Sequence, residues 1–150
     1  MKLAIASDHA GYPLKAHLVD YLRSKGHDVL DLGTDNAETR TDYSDAALSV
    51  TDKIKTGDAE RGIVLCGSGV GASIAANKVK GIYAAITHDA YSAAQGVEHD
   101  NMNVMVLGSR IIGSAVAEQL ADAFIDAKFN TVEPRYERRF KKVQAIEDAE

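Results

Sequence analysis

An α/β fold, built as a three-layer αβα sandwich around a sheet of about five parallel strands, follows from three features of the sequence. Short apolar runs alternate with stretches of helical periodicity. The runs are almost continuously hydrophobic, which suits parallel strands covered on both faces. Each run ends near a polar or glycine-rich stretch, as expected where strands hand over to helices. No linker, repeat or low-complexity segment divides the chain, so residues 1–150 read as one domain.

The elements follow in order. Leu3 to Ala6 is the first strand. Leu14, Leu18, Tyr21 and Leu22 keep helical spacing, and Gly26 suits the end of that helix. Val29 to Leu32 is the second strand, followed by a helix marked by Ala47, Val50 and Ile54 before Gly57. Gly62 to Cys66 is the third strand, and Ile74, Ala75 and Val79 mark its helix. Ile82 to Ile86 is the fourth, with Asp89 placed to cap a helix from Ala90. Val104 to Leu107 is the fifth, and Val116, Leu120 and Phe124 mark the helix after it. Glu133-Pro134 opens the last helix, where proline suits the first turn. Tyr136, Phe140 and Val143 give that helix an apolar stripe.

Composition excludes several function classes. A chain of 150 residues can enclose an apolar core without disulfides or metals. A net charge of -5 argues against non-specific nucleic-acid binding, which needs a cationic surface. The single cysteine makes no intrachain disulfide and fits a reducing compartment. The apolar run at the N-terminus is too short for a signal peptide, and no run approaches a membrane span. The expected location is cytoplasmic, with no membrane partner.

In α/β sheets of this kind the ligand sits beyond the carboxyl ends of the strands. The first strand ends in Ser7-Asp8-His9-Ala10-Gly11, the third in Cys66-Gly67-Ser68-Gly69-Val70-Gly71, the fourth in Thr87-His88-Asp89 and the fifth in Gly108-Ser109-Arg110. Glu98-His99-Asp100-Asn101-Met102-Asn103 lies just before the fifth strand. The expectation is that these acids, bases, thiol and guanidinium converge on one edge.

Cys66 is the most informative of them. An arbitrary lone cysteine is a small buried hydrophobe, but this one closes a strand and precedes three glycines and a helix. A helix N-terminus stabilises anions and lowers thiol pKa values. Gly67, Gly69 and Gly71 either make a tight turn or let exposed N–H groups cradle an oxyanion. Ser68 either donates to a ligand oxygen or caps the following helix. Gly67 to Ala72 also fits the G-x-G-x-x-A form of a dinucleotide fingerprint, with Asp89 about 20 residues on. It follows the third strand rather than the first, however, and the chain leaves no room for a separate substrate domain.

Asp8 and His9 read singly as a helix cap and a surface histidine; together they can orient hydroxyls and a phosphate. His99 is a loop histidine or an acid/base, since imidazole titrates near neutrality. Arg135 and Arg139, four apart, share a helix face, and Arg138 and Lys142 form a second pair. These are a solvated basic face or a phosphate clamp. The five histidines show no metal-ligand spacing with Cys66, and neither a metal nor a cofactor is expected.

These residues together resemble type B ribose-5-phosphate isomerase. The resemblance rests on the Ser7-Asp8-His9-Ala10-Gly11 start, Thr41-Asp42-Tyr43, Cys66 to Gly71, Ala75-Ala76-Asn77-Lys78, Asn103-Val104 and Gly108-Ser109-Arg110, in order over essentially the whole chain. The wider family includes the subunits of galactose-6-phosphate isomerase. It implies a Rossmann-like sandwich, a homodimer sometimes paired into a tetramer, and an active site shared between subunits. It also implies metal-free interconversion of ribose 5-phosphate and ribulose 5-phosphate in the pentose phosphate pathway. By similarity Cys66 is the catalytic base, His99 opens the furanose ring with Asp8 assisting, and Ser68 holds the place of a helping hydroxyl. His9, Arg110, Arg135 and Arg139 match phosphate-holding positions, and Tyr43 matches a tyrosine lining the sugar pocket. The family often reads His-Asn-Asp at His99-Asp100-Asn101, so Asp100 brings a negative charge to a sugar-contacting place beside Asn101. The family's Gly-Gly-Arg-His reads Glu133-Pro134-Arg135-Tyr136 here.

The rival readings are an isomerase of a 6-phosphate aldohexose (allose or galactose 6-phosphate), a nucleotide-binding module without isomerase activity, and a non-catalytic partner subunit. Retention of Cys66 with His99 speaks against the last.

Overall fold

The apolar runs form five strands and the periodic stretches six helices in a computed structural model that describes Met1–Glu150. The order is β1 (Lys2–Ser7), α1 (Tyr12–Ser24), β2 (Asp28–Gly33), α2 (Tyr43–Lys55), β3 (Arg61–Cys66), α3 (Val70–Ala76), β4 (Ala84–Ile86), α4 (Ala90–Asp100), β5 (Val104–Gly108), α5 (Ser114–Asp126) and α6 (Pro134–Asp148). The sheet is entirely parallel with strand order β2-β1-β3-β5-β4.

Alternation along the strands sorts the core into two layers. Leu3 and Ile5, Ile63 and Leu65, and Met105 and Leu107 face α1, α4 and α5. Ala4 and Ala6, Val64 and Cys66, and Val104 and Val106 face α2 and α3. This placement is what right-handed crossovers require, because the chain moves one way across the sheet through α1 and α4 and the other way through α2 and α3. The chain turns in opposite directions from β1 and β3, so a crevice opens between their carboxyl ends. Helix α6 packs beyond β4, where Phe140 meets Tyr83 and Phe129 edge-on at 4.8 and 5.6 Å.

Two boundaries differ from the periodicity. The third helix stops at Ala76 rather than reaching Val79, and β4 begins at Ala84 rather than Ile82. Asn77 is the cause: its amide accepts from the Ala84 N–H and donates to the Ala84 carbonyl, both at 2.8 Å. One side chain thus pairs with the start of β4 as a neighbouring strand would.

A lysine organises the loop that leads to the site. Lys15 is 2% exposed, and its ammonium lies 2.7 Å from each of the Leu32 carbonyl, the Thr34 carbonyl and the Asp31 carboxylate. Helix α1 thereby ties down the end of β2 and the segment that runs on to Tyr43. Lys15→Met leaves the two carbonyls without their donor, a loss of about 2–3 kcal/mol. Thermal unfolding should show Tm lowered by roughly 5–10 °C.

Candidate active site

The crevice holds a cavity of about 390 Å³. Asp8 from the end of β1, Tyr43 from the start of α2 and Cys66 from the end of β3 line it, together with Gly67, Ser68 and Gly71. Arg110 and Ile111, from the turn after β5, complete the wall. Ile111 was not legible as a site residue; its place three positions beyond the strand-terminal Gly108 was the available signal.

The cysteine loop is built to present donors. Gly69 has φ +89°, a conformation that favours glycine and turns the chain sharply into α3. The N–H groups of Gly67, Ser68, Gly69 and Gly71 find no acceptor in the chain. The Ser68 hydroxyl accepts from the Val70 N–H at 3.2 Å, so it is engaged within the turn, although the N-cap of α3 is Gly69. Cys66 itself is a free thiol, 5% exposed. The carbonyls of Cys66 and Gly67 accept from the Ser109 and Arg110 N–H groups at 2.8 and 3.0 Å, which fixes the loop against β5.

Asp8 is buried, and one of its oxygens accepts the Gly11 N–H at 3.0 Å. It stabilises the turn before α1 rather than capping the helix, whose N-cap is Gly11. His9 accepts the Thr41 N–H through Nδ1 at 3.2 Å and so links the first loop to the approach of α2. At Gly71 a Cβ would lie 2.7 Å from two Tyr43 ring atoms, so only glycine lets that ring close the cavity wall. Gly71→Ala swings the ring outward. Steady-state kinetics with a phosphorylated aldose should show kcat/KM reduced by about tenfold, mainly through KM.

The structure corrects one expectation. His99, Asp100 and Asn101 do not join the carboxyl edge. Helix α4 starts at that edge with Asp89, whose carboxylate accepts the Ser92 N–H at 2.7 Å and is held below the usual range by that bond. Its 11 residues then run about 16 Å toward the opposite edge. There the Asn103 carbonyl accepts the Gly62 N–H, four residues and about 13 Å up β3 from Cys66. A segment that precedes a parallel strand lies at its amino end, and this one does.

His99 is nonetheless held in a definite pose. Its ring stacks on Tyr136 with centroids 3.9 Å apart and planes at 18°, and Nδ1 lies 3.0 Å from the Gln95 amide. Arg135 donates to the Tyr136 hydroxyl at 3.2 Å, and its pKa is raised by Tyr136 and then by Glu133. Asn101 ends α4 at φ 55°. Arg139 is exposed one turn further along α6. The predicted residues thus form two groups: Asp8, Tyr43, Cys66, Gly67, Ser68, Gly71 and Arg110 around the cavity, with His9 and Gly69 beside them, and His99, Asp100, Asn101, Arg135 and Arg139 at the far edge. Gln95 and Tyr136, which fix His99, carried no signal beyond helical spacing. No group of three or more His, Cys, Asp and Glu side chains is placed to hold a metal ion, and no helix is long and apolar enough to cross a membrane.

The chain is similar to proteins named as sugar-phosphate isomerases. Residues 3–143 match the model of a family described as Ribose/Galactose Isomerase. The chain is 39% identical over 146 residues to ribose-5-phosphate isomerase B of Escherichia coli (strain K12), covering 97% of this chain and 96% of that protein. It is 42% identical over 129 residues to D-erythrulose-4-phosphate isomerase of Pectobacterium atrosepticum, covering 86% of this chain and 85% of that one. The structure of ribose-5-phosphate isomerase B from Mycoplasma genitalium with bound ribulose-5-phosphate superposes with a TM-score of 0.90 at 39% identity, covering 98% and 96% of the two chains.

Proposed function

This chain belongs to the ribose/galactose isomerase family of sugar-phosphate isomerases, and from that premise we propose that it interconverts ribose 5-phosphate and ribulose 5-phosphate with Cys66 as the base. The observation that carries the reading is the cavity itself: a buried thiol beside backbone N–H groups that have no other acceptor, with Asp8 and Arg110 on the same wall.

The chemistry follows from that arrangement. The Cys66 thiolate removes the proton from C2 of the open-chain aldose, and the C1 oxygen takes up the negative charge. The amides of the loop hydrogen-bond that oxygen as its charge develops, where each donor is worth about 10²–10³ in rate. A proton passes from the C2 oxygen to the C1 oxygen, and the thiol returns its own proton to C1, giving the ketose. Arg110 and His9 hold the phosphate at a distance from the reacting carbons, so that its binding energy orients the chain.

The furanose must open before this, and His99 is the proposed acid/base, assisted by the carboxylate oxygen of Asp8 not bound to Gly11. Within one copy His99 lies across the sheet from Cys66, so the proposal requires a homodimer in which His99, Arg135 and Arg139 of one copy complete the cavity of the other. Exposed apolar side chains around the cavity support a covered surface. Tyr43 and Ile111 on its wall are 47% and 59% exposed, and Val70 and Ile74 on α3 are 52% and 59% exposed. A thiol used as a base also fits a reducing, cytoplasmic setting.

The test is solvent deuterium exchange and turnover across ribose 5-phosphate, allose 6-phosphate and galactose 6-phosphate. The highest kcat/KM should belong to ribose 5-phosphate. Preference for a hexose 6-phosphate would move the assignment to that sugar, and nucleotide binding without exchange in any sugar would end the isomerase reading.

A further inference from the structure

His88 lies two residues beyond the end of β4, next to the end of β5, yet no step of the proposed reaction uses it. Its Nε2 accepts the Gly108 N–H at 2.9 Å. A backbone N–H can only donate, so Nε2 carries no proton while this bond exists. Gly108 is the last residue of β5 and pairs with Cys66. The next two N–H groups, of Ser109 and Arg110, hold the Cys66 and Gly67 carbonyls. The Ser109 hydroxyl adds a bond to the Ala10 carbonyl at 2.9 Å. The end of β5 is therefore a bracket for the cysteine loop, and His88 is its outer fastening.

From this geometry we propose that His88 is a positioning residue for Cys66: it pins the Gly108 N–H, and acid that protonates its Nε2 releases the bracket. The inference rests on the reading of Cys66 as the base. It places a pH-sensitive contact one strand away from the thiol, in a residue that does not touch the sugar. Strand β5 and helix α3 pack on β4, and neither carries a charged side chain. The charged groups next to the contact along the chain are Asp89, already engaged by Ser92, and Arg110, whose guanidinium lies over Gly67. His88 is thus the ionisable side chain bonded directly to the Gly108 N–H.

The full-length protein is compared with His88→Gln and His88→Leu in kcat and KM from pH 5 to 8, using a phosphorylated aldose that it turns over. Glutamine brings an amide oxygen to the place of Nε2 and does not titrate; leucine brings no acceptor. His88→Gln should keep kcat at neutral pH and lose part of the acid-side decline. His88→Leu should lower kcat about tenfold at every pH with KM little changed. In the unliganded wild-type protein, the Gly108 amide resonance should shift with the same midpoint as the His88 ring. Wild-type kcat in His88→Leu, an unaltered acid limb in His88→Gln, or a Gly108 resonance indifferent to His88 would each overturn the proposal, and the resonance can be read even if a variant folds poorly. Cys66→Ala measured alongside separates the premises. Turnover in that variant removes the reading on which this one rests, whereas an inactive Cys66→Ala with an unimpaired His88→Leu rejects His88 alone.

Discussion

Cys66→Ala should lower kcat by about 10³-fold while leaving the affinity for a phosphorylated sugar nearly unchanged. No other side chain on the cavity wall replaces the thiol in this proposal. The free Asp8 oxygen is assigned to ring opening, while the other accepts the Gly11 N–H; the Ser68 hydroxyl is bonded to the Val70 N–H, and Arg110 is a cation. The groups that bind rather than react survive the change: the unpaired amides of the loop, Arg110 and Tyr43. Removing a small buried side chain next to Gly67 also costs little packing, so the variant should fold. Turnover measured with the aldose, and deuterium uptake from solvent measured with the ketose, should both collapse. Binding followed by calorimetry should persist. Near-normal deuterium uptake in Cys66→Ala would reject the thiol as the base.

Activity should reappear when two inactive variants are combined. His99→Asn removes the proposed ring-opening group and should cost about 10²-fold or more with a furanose substrate. With the proposed homodimer, co-expression of His99→Asn with Cys66→Ala gives mixed dimers as half of the population if pairing is random. Each mixed dimer has one cavity spoiled twice and one in which an intact Cys66 faces an intact His99. The mixture should therefore recover about a quarter of wild-type turnover, against almost none for either parent. The physical basis is the separation of the two groups across the sheet, roughly 13 Å along β3 alone, which no side-chain rotation closes. If mixed dimers, isolated with two different tags, stay inactive, the site is not shared and His99 has another role.

Much of this site could be read before any coordinates. Cys66, its glycines and Asp8 were legible because strand ends and turn residues are local signals, and a parallel sheet places every strand end at one edge. His99 was misplaced for a related reason. It stands close to β5 in sequence, but ahead of it, and the direction of the strand puts that segment at the opposite edge. Its aromatic clamp was hidden because Tyr136 has the spacing of an ordinary apolar stripe on α6. Lys15 was hidden more thoroughly. A lysine on an amphipathic helix is normally solvated, and only the carbonyls of Leu32 and Thr34 and the carboxylate of Asp31 make its burial favourable.

The sequence by itself determined the order of strands and helices, the two-faced burial of the sheet and the thiol before a glycine loop, since each depends on neighbours within a few residues. The tertiary structure alone decided which of the candidate groups share a cavity. That choice depends on strand direction, on the exchange of β4 and β5 in the sheet, and on single long-range contacts such as His88 with Gly108. Such contacts leave no periodic trace along the chain.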